Sequence, residues 1–279
     1  MTTDRRQTPD GTTLATETLP GEGNPVVVLH GFTGDRHSMR PMSERLAPAH
    51  EVLLVDLVGH GESTAPPSLE PYHMPAVVDQ VLSLVADRAP GSVHLLGYSM
   101  GGRIALSMAQ RAPWFFASVT TLSATAGIED PCDRADRHDL DLANADRLEE
   151  IGVAEFIDEW LDQDLFMPLR ERLGPEGVVR AKASRSNADP HGLANSLRGT
   201  GAGAMTPVWD AVPALRCPVL AVAGALDAPY VAKARRLAEI AGDGHCVVVD
   251  GCGHALPMED PAAVARPVAA FLEGWATEP

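Results

Sequence analysis

The stretch Gly97-Tyr98-Ser99-Met100-Gly101-Gly102 decides the fold of this sequence. It follows an apolar run at 93–97 and precedes a helix-forming segment that begins at Arg103. A G-x-S-x-G motif between a strand and a helix is typical of a sharp turn that raises the serine hydroxyl above the carboxyl edge of a sheet. A glycine-rich turn with an incidental serine is the alternative, but the flanking strand and helix favour a nucleophile. The motif therefore predicts that Ser99 is catalytic and that the Met100 N–H, at a helix start, stabilises a developing oxyanion.

Apolar runs and amphipathic segments alternate on both sides of this motif. Strands are predicted at the apolar runs 25–29, 51–55, 93–97, 118–122, 218–222 and 246–249. Helices are predicted near 38–47, 74–88, 101–111, 230–241 and 261–274. Apolar strands separated by helices indicate an α/β fold with a mostly parallel sheet that helices cover on both faces. The first residues of the chain are predicted to be a loose polar segment.

The segment from about Gly127 to about Pro207 differs, because it contains no strand-like run. Asp130 and Pro131 are the residue types preferred at the N-cap and at the first position of a helix. We therefore predict a helical insertion between two parts of the sheet. The predicted division is a core over residues 1–125 and 208–279 and a helical cap over residues 126–207.

Three further residues have the types and positions that an activated serine needs. Phe32 closely follows an early predicted strand, so its backbone N–H is the predicted second oxyanion donor. Asp227 and His254 each follow a later predicted strand. In this arrangement His254 accepts the proton of Ser99, while Asp227 holds the imidazole in the required tautomer and stabilises its charged form.

Other polar residues compete for these roles. His245 precedes its predicted strand and is expected at the opposite edge of the sheet. His30 and His60 belong to turns, where a histidine with a structural hydrogen bond is the simpler interpretation. Asp250 is a second candidate for the acid, because it lies close in sequence to the candidate catalytic histidine. The spacing of acid, cysteine and histidine over 250–254 matches no zinc-binding motif, so no metal site is expected.

The composition disfavours several classes of partner. The 279 residues carry 38 acidic and 22 basic side chains, and the formal net charge of −16 disfavours nucleic acid and anionic membranes as partners. No apolar stretch approaches the roughly 20 residues that span a bilayer, and the polar start lacks the apolar part of a secretory signal. The four cysteines form no C-x-x-C pair and are expected to be free thiols in a reducing compartment. We therefore expect a cytoplasmic protein, whose oligomeric state the residues do not predict.

Several longer motifs resemble those of one family. The stretch 56–63 reads Asp-Leu-Val-Gly-His-Gly-Glu-Ser, which is similar to the D-x-x-G-x-G-x-S turn of α/β-hydrolases. The other motifs lie at residues 29–34, 97–103, 122–128, 134–137, 156–166, 185–187 and 196–201. Together they resemble the MenH family, the 2-succinyl-6-hydroxy-2,4-cyclohexadiene-1-carboxylate synthases of menaquinone biosynthesis, over about residues 25–273. The stretch Ser123-Ala124-Thr125-Ala126 departs from the family pattern, in which proline or histidine often precedes the glycine.

The resemblance implies an α/β-hydrolase fold and a carbon–oxygen lyase that needs no cofactor. The family's substrate carries three carboxylates, and it loses pyruvate after a proton is removed from the carbon next to its succinyl ketone. The resemblance makes Ser99 the base of this step and assigns substrate binding to Tyr98, Arg103, Arg137, Trp160 and Arg185. Guanidinium groups bind carboxylates through two parallel hydrogen bonds, which suits a small polycarboxylate. We expect a positive pocket within a negative protein surface, since salt screens charges beyond about 8 Å.

Each binding residue also has a simpler explanation. Arg137 has the i,i+4 spacing for an ion pair with Asp141. Arg185 would otherwise be an exposed helix end, and Trp160 and Phe166 would otherwise be ordinary apolar core.

Two alternative functions also stay open. One is a serine hydrolase that cleaves an ester or a carbon–carbon bond in a small acidic substrate, and the other is a ligand-binding protein of the same fold without turnover. The arginines separate the lyase from the hydrolase, because both would use the same triad.

Overall fold

One eight-stranded sheet forms the centre of the computed structural model, which describes residues 2–186 and 188–274. The strands are β1 (Thr2–Gln7), β2 (Thr13–Leu19), β3 (Gly23–Leu29), β4 (His50–Val55), β5 (Val93–Tyr98), β6 (Phe116–Leu122), β7 (Val219–Gly224) and β8 (Gly244–Val249). Their order across the sheet is β1-β2-β4-β3-β5-β6-β7-β8. Strands β3 to β8 are parallel, and β2 is antiparallel to its neighbours β1 and β4. The prediction of a mostly parallel α/β sheet is confirmed.

Helices cover both faces of this sheet. They are α1 (Arg36–Ser43), α2 (Met74–Ser83), α3 (Met100–Arg111), α4 (Pro131–Ile151), α5 (Val153–Asp162), α6 (Met167–Arg185, kinked at Gly174), α7 (Pro190–Thr200), α8 (Ala228–Ile240), α9 (Leu256–Glu259) and α10 (Pro261–Glu273). Side chains of β3 alternate between two apolar clusters, with Val27 and Leu29 in one and Val26 and Val28 in the other. The first cluster packs under α2, α3 and α8, and the second under α1 and α10. The continuous apolar runs in the sequence follow from this burial on both faces.

The prediction of a loose N-terminus is wrong, because Thr2–Gln7 and Thr13–Leu19 pair as a hairpin. β1 is an edge strand whose side chains are mostly exposed, so it needs no apolar pattern. Asp10-Gly11, with Gly11 at a φ of +86°, forms the turn between the two strands. This dipeptide is a strong hairpin signal, and the β-branched threonines around it favour strands.

The chain between β6 and β7 forms helices α4 to α7 and, within the described residues, no strand. The Asp130 side chain accepts hydrogen bonds from the N–H groups of Cys132 and Asp133, as an N-cap residue does. The two ends of this helical segment are joined, because the Val208 N–H donates to the Ala126 carbonyl at 2.7 Å. The division into core and cap at residues 126 and 207 stays a prediction, with which this closure agrees.

Some predicted element ends differ from those in the structure. α1 ends at Ser43 rather than near residue 47, and α2 ends at Ser83 rather than near residue 88. β8 begins at Gly244, so His245 lies inside the strand, where its ring contacts Asp243 at the edge of the sheet opposite Ser99. None of the described helices has the length and apolar character needed to span a bilayer.

Buried histidines, among them His60 and His94, are expected to make the fold sensitive to acid. Burial lowers the pKa of His60 to about 3 and that of His94 to about 4, because the interior disfavours the charged imidazolium. The unfolded chain takes up these protons below about pH 6.5, so unfolding becomes more favourable as the pH falls towards 4. Between pH 7.5 and pH 5.0 we expect a loss of about 2 kcal/mol per histidine in the free energy of unfolding, measured by urea titration.

The control for this prediction is His94→Asn, which keeps a polar group near the Ser118 hydroxyl that the His94 Nδ1 contacts at 2.7 Å. The variant should lose about 2 kcal/mol less stability than the parent over the same pH interval, because the buried His30 and His60 remain. An identical pH dependence in both proteins would show that His94 does not carry the effect.

Candidate active site

Ser99 lies at a strained turn between β5 and α3. Its φ of 50° and ψ of −106° lie in a region that residues with a side chain rarely adopt. The Ser99 N–H donates to the Leu122 carbonyl at 2.9 Å, which fixes the turn against β6. A Cβ at Gly97 would lie 2.2 Å from the Gly101 carbonyl oxygen, so the turn requires glycine there. The result is a serine hydroxyl projecting above the carboxyl edge of the sheet.

The three residues predicted as a triad are in hydrogen-bond contact. The Ser99 Oγ lies 3.1 Å from the His254 Nε2, and the His254 Nδ1 lies 2.8 Å from an Asp227 carboxylate oxygen. His254 and Asp227 are 3% and 5% exposed. Because the Nδ1 proton is held by Asp227, the neutral ring presents an unprotonated Nε2 to the serine. This geometry can transfer the hydroxyl proton of Ser99 to His254.

Asp250, the second candidate for the acid, is exposed and follows the end of β8. The carboxylate in contact with His254 is that of Asp227. The two other histidines of interest have structural contacts, as the turn interpretation predicts. The Nδ1 of His30 donates to the Gly31 carbonyl at 2.8 Å, and the His60 Nδ1 lies 3.1 Å from the Val58 carbonyl.

Glu259 holds the His254 loop, and the sequence interpretation missed it. Its carboxylate accepts the N–H of Gly253 at 2.5 Å and that of Ala255 at 3.0 Å, on either side of the histidine. The side chain is buried, and burial raises its pKa. We interpret Glu259 as a positioning residue. In the sequence it is only an acid five residues after the histidine, and this spacing does not predict the two backbone contacts.

Two backbone N–H groups are available beside Ser99. Met100 is the first residue of α3, so its N–H has no acceptor within the helix. The Phe32 N–H likewise donates to no other group in the described part of the chain. A Cβ at Gly31 would lie 3.4 Å from the Ser99 Cβ, so the Phe32 loop lies against the turn. Such a pair of donors can stabilise a negative oxygen.

A cavity of about 160 Å³ lies above Ser99, between the sheet edge and the helices α4 to α7. It is lined by Ser99 and His254 together with the predicted oxyanion and binding residues Phe32, Met100, Tyr98, Arg103, Arg137, Trp160 and Arg185. Apart from histidine, the described lining residues with charged side chains are three arginines and Asp141. The lining therefore carries more positive than negative charge, although the whole chain has a formal net charge of −16.

Arg103 is buried and Arg185 is partly buried, and neither forms an ion pair with any described carboxylate. Arg103 donates to the Thr200 carbonyl at 2.7 Å, and burial lowers its pKa to about 10. Arg185 donates to the Ala181 carbonyl at 2.6 Å and contacts the Met258 sulfur, and burial lowers its pKa as well. The alternative of an exposed helix end is therefore wrong for Arg185. A buried charge without a partner is costly, so an anion in the cavity would stabilise both.

Arg137 forms the i,i+4 ion pair that was its simpler explanation, at 2.8 Å from Asp141. It also lines the cavity, so the two interpretations are compatible. Trp160 likewise combines apolar packing with a place in the cavity lining. Its ring lies 5.1 Å from that of Phe32 and stacks on Phe156, and it also lines the cavity. Of the predicted 185–187 motif, Asn187 lies outside the described residues.

Comparison with known proteins gives both a family and close relatives. A family model described as the alpha/beta hydrolase fold matches residues 24–261. A Bacillus subtilis (strain 168) protein named as a candidate 2-succinyl-6-hydroxy-2,4-cyclohexadiene-1-carboxylate synthase is 30% identical over 253 residues, which cover 91% of this chain and 92% of that protein.

Two solved structures are similar over most of their length. MenH from S. aureus has a TM-score of 0.86 and 27% identity, with 93% of this chain and 98% of that chain covered. A thermophilic esterase from Thermogutta terrifontis, with malate bound, has a TM-score of 0.84 and 26% identity, with 99% and 100% covered. The similarity of backbone alone does not distinguish a synthase from an esterase.

Proposed function

The chain belongs to the α/β-hydrolase fold family, and from this premise we propose that it is a 2-succinyl-6-hydroxy-2,4-cyclohexadiene-1-carboxylate synthase of menaquinone biosynthesis. It would eliminate pyruvate from 2-succinyl-5-enolpyruvyl-6-hydroxy-3-cyclohexene-1-carboxylate. The observation that carries this proposal is the pair of guanidinium groups in the cavity above Ser99 that have no carboxylate partner, that of the buried Arg103 and that of the partly buried Arg185. The 30% identity to the Bacillus subtilis relative over nearly the whole chain supports it.

The proposed reaction is a proton abstraction followed by an elimination. Ser99, deprotonated by His254, takes the proton from the ring carbon next to the succinyl ketone. The resulting enolate oxygen accepts hydrogen bonds from the N–H groups of Phe32 and Met100. The electron pair then shifts through the ring double bond and breaks the carbon–oxygen bond, and the released enolpyruvate takes up a proton to become pyruvate. Asp227 stabilises the imidazolium that exists between the two proton transfers.

The cavity charges fit a substrate with three carboxylates. Hydrogen bonds between a guanidinium and a carboxylate contribute about 1.5–3 kcal/mol each when both groups are charged. The acidic surface opposes this attraction weakly, because the Debye length is about 8 Å at physiological salt. Tyr98 and Trp160 supply aromatic walls, and the buried phenol of Tyr98 has its pKa raised by burial, so it stays neutral.

Release of pyruvate tests this function. The purified protein, given the enolpyruvyl substrate, should release one pyruvate for each ring product formed, without any added metal or cofactor. Coupled oxidation of NADH by lactate dehydrogenase measures the pyruvate. The proposal fails if simple esters are hydrolysed rapidly while the enolpyruvyl substrate releases no pyruvate.

That outcome would support an ester hydrolase, the second candidate. The contacts of Ser99 with His254 fit ester hydrolysis equally well, and an esterase is a close structural neighbour. In that case an acyl group would attach transiently to Ser99, whereas the elimination forms no covalent intermediate. Mass spectrometry of the protein after rapid acid quenching distinguishes the two.

Arg185→Ala is expected to lower kcat/KM for pyruvate release about 10²- to 10³-fold. The loss corresponds to two hydrogen bonds between charged groups. The free energy of unfolding should change by less than about 1 kcal/mol, because the guanidinium has no carboxylate partner to leave unpaired. Steady-state kinetics and urea titration of the same preparation measure both quantities.

Arg180→Ala is the matched control, since Arg180 lies on the same helix with its side chain 74% exposed. This variant should keep the parent kcat/KM. Equal activity of Arg185→Ala and the parent would remove the main support for the proposed substrate class.

A further inference from the structure

The cavity contains a polar side chain that the proposed mechanism does not use. Tyr230 lies on α8, three residues after Asp227, and lines the cavity. Its ring lies 4.5 Å from the His254 ring, centroid to centroid, in a T-shaped contact. The ammonium group of Lys233 lies 4.3 Å from the centre of the same ring. These two contacts fix the position of the tyrosine ring.

The hydroxyl of Tyr230 has a donor to offer and no acceptor in the described protein. It forms no hydrogen bond there, and it lies close enough to Arg103 and Arg137 to interact with both charges. Burial raises the pKa of the phenol, so the hydroxyl carries its proton at neutral pH. Asp141 is engaged elsewhere, since its carboxylate accepts from Arg137 at 2.8 Å and from the Gly203 N–H at 3.0 Å.

Three donor groups therefore line the same cavity. Arg103 donates to the Thr200 carbonyl, and the Asp141 carboxylate that pairs with Arg137 lies against the next residue, Gly201, so the two guanidinium groups are held near each other.

We propose that Tyr230 determines specificity in this cavity, because its hydroxyl donates a hydrogen bond to the substrate carboxylate that Arg103 and Arg137 bind. The inference rests on the proposed function for the identity of the substrate. The ring and the hydroxyl have different roles: the ring packs on His254, and the hydroxyl contacts the substrate. A neutral donor adds a hydrogen bond for the carboxylate without placing a third charge beside two guanidinium groups.

Tyr230→Phe separates these roles, because phenylalanine keeps the ring and removes the hydroxyl. The variant should raise KM for the enolpyruvyl substrate about tenfold, as expected for a lost hydrogen bond to a charged group. Its kcat should stay within about threefold of the parent value, and the pH dependence of kcat should be unchanged, because the ring contact with His254 remains. Tyr72→Phe is the control, since the Tyr72 hydroxyl donates to the Pro66 carbonyl at 3.0 Å away from the cavity lining.

A binding measurement keeps this inference separate from the proposed function. Calorimetric titration with 2-succinylbenzoate, an unreactive aromatic dicarboxylate, should give a Kd about tenfold higher for Tyr230→Phe than for the parent. That result supports the role of Tyr230 even if no pyruvate is released, in which case the proposed function alone fails. Unchanged KM and Kd in Tyr230→Phe would overturn the inference, as would a parent protein that binds neither compound. A lower kcat with a shifted pH profile at unchanged KM would also overturn it, because the hydroxyl would then act through His254.

Discussion

Replacing Ser99 with alanine is expected to lower kcat/KM for pyruvate release by about 10⁴-fold or more. The hydroxyl lies 3.1 Å from the His254 Nε2, and no other described side chain forms a hydrogen bond with that nitrogen. Without the hydroxyl, His254 would have to take the substrate proton directly, without the group that is positioned to accept it. The oxyanion donors and the arginines would still bind the substrate, so the loss should appear in kcat rather than in KM.

The control is Ser107→Ala on α3, the helix that follows Ser99. Its hydroxyl donates to the Arg103 carbonyl at 3.0 Å, and Ser107 does not line the cavity. This variant should keep most of its activity. Near-parental turnover in Ser99→Ala would contradict the role of the serine as the base.

A fluorophosphonate probe tests the nucleophilic reactivity of Ser99 independently of turnover. It should label the parent protein and not Ser99→Ala, because the probe reacts with a serine that a neighbouring base has activated. Complete absence of labelling in the parent would favour the third interpretation, a ligand-binding protein without turnover.

Asp227→Asn is expected to lower kcat by about 10⁴-fold while leaving the fold in place. An asparagine of the same shape can turn its amide group towards the Nδ1 of His254, which stabilises the wrong tautomer and no longer stabilises the charged ring. The side chain is 5% exposed and contacts the ring at 2.8 Å, so water cannot readily replace it. Steady-state kinetics give the loss, and circular dichroism confirms that the variant is folded.

The matched variant is Asp250→Asn, four residues before His254 in the chain. Its side chain is exposed, and it makes no contact with the imidazole. We expect kcat within about twofold of the parent. If Asp250→Asn were the more damaging change, the assignment of the acid to Asp227 would be wrong.

The local sequence predicts those parts of the protein that depend on neighbouring residues. Gly97 is required by its contact with Gly101 within the same turn, so the strained serine can be inferred from the motif. The parallel strands are visible because burial on both faces demands continuous apolar residues. Strand β1 of the N-terminal hairpin was not predicted, because an edge strand that is exposed to water needs no continuous apolar run.

The candidate site shows a similar division. The residue types and chain order of Ser99, Asp227 and His254 can be recognised in the sequence, but two acids, Asp227 and Asp250, were compatible with it. The distance of 2.8 Å to His254 distinguishes them. Glu259 could not have been assigned, because its role consists of two backbone contacts in a folded loop.

The fold class, the strained serine and the candidate residues can be predicted from the amino-acid sequence, because strand burial and turn geometry act over short stretches of chain. The folded chain is needed to see which acid contacts His254, that Arg185 is partly buried without a carboxylate partner, and that Tyr230 lines the same cavity as Arg103 and Arg137. Those contacts join residues far apart in the chain. Their energies depend on distance and on exclusion of water, and neither quantity is encoded at any single position.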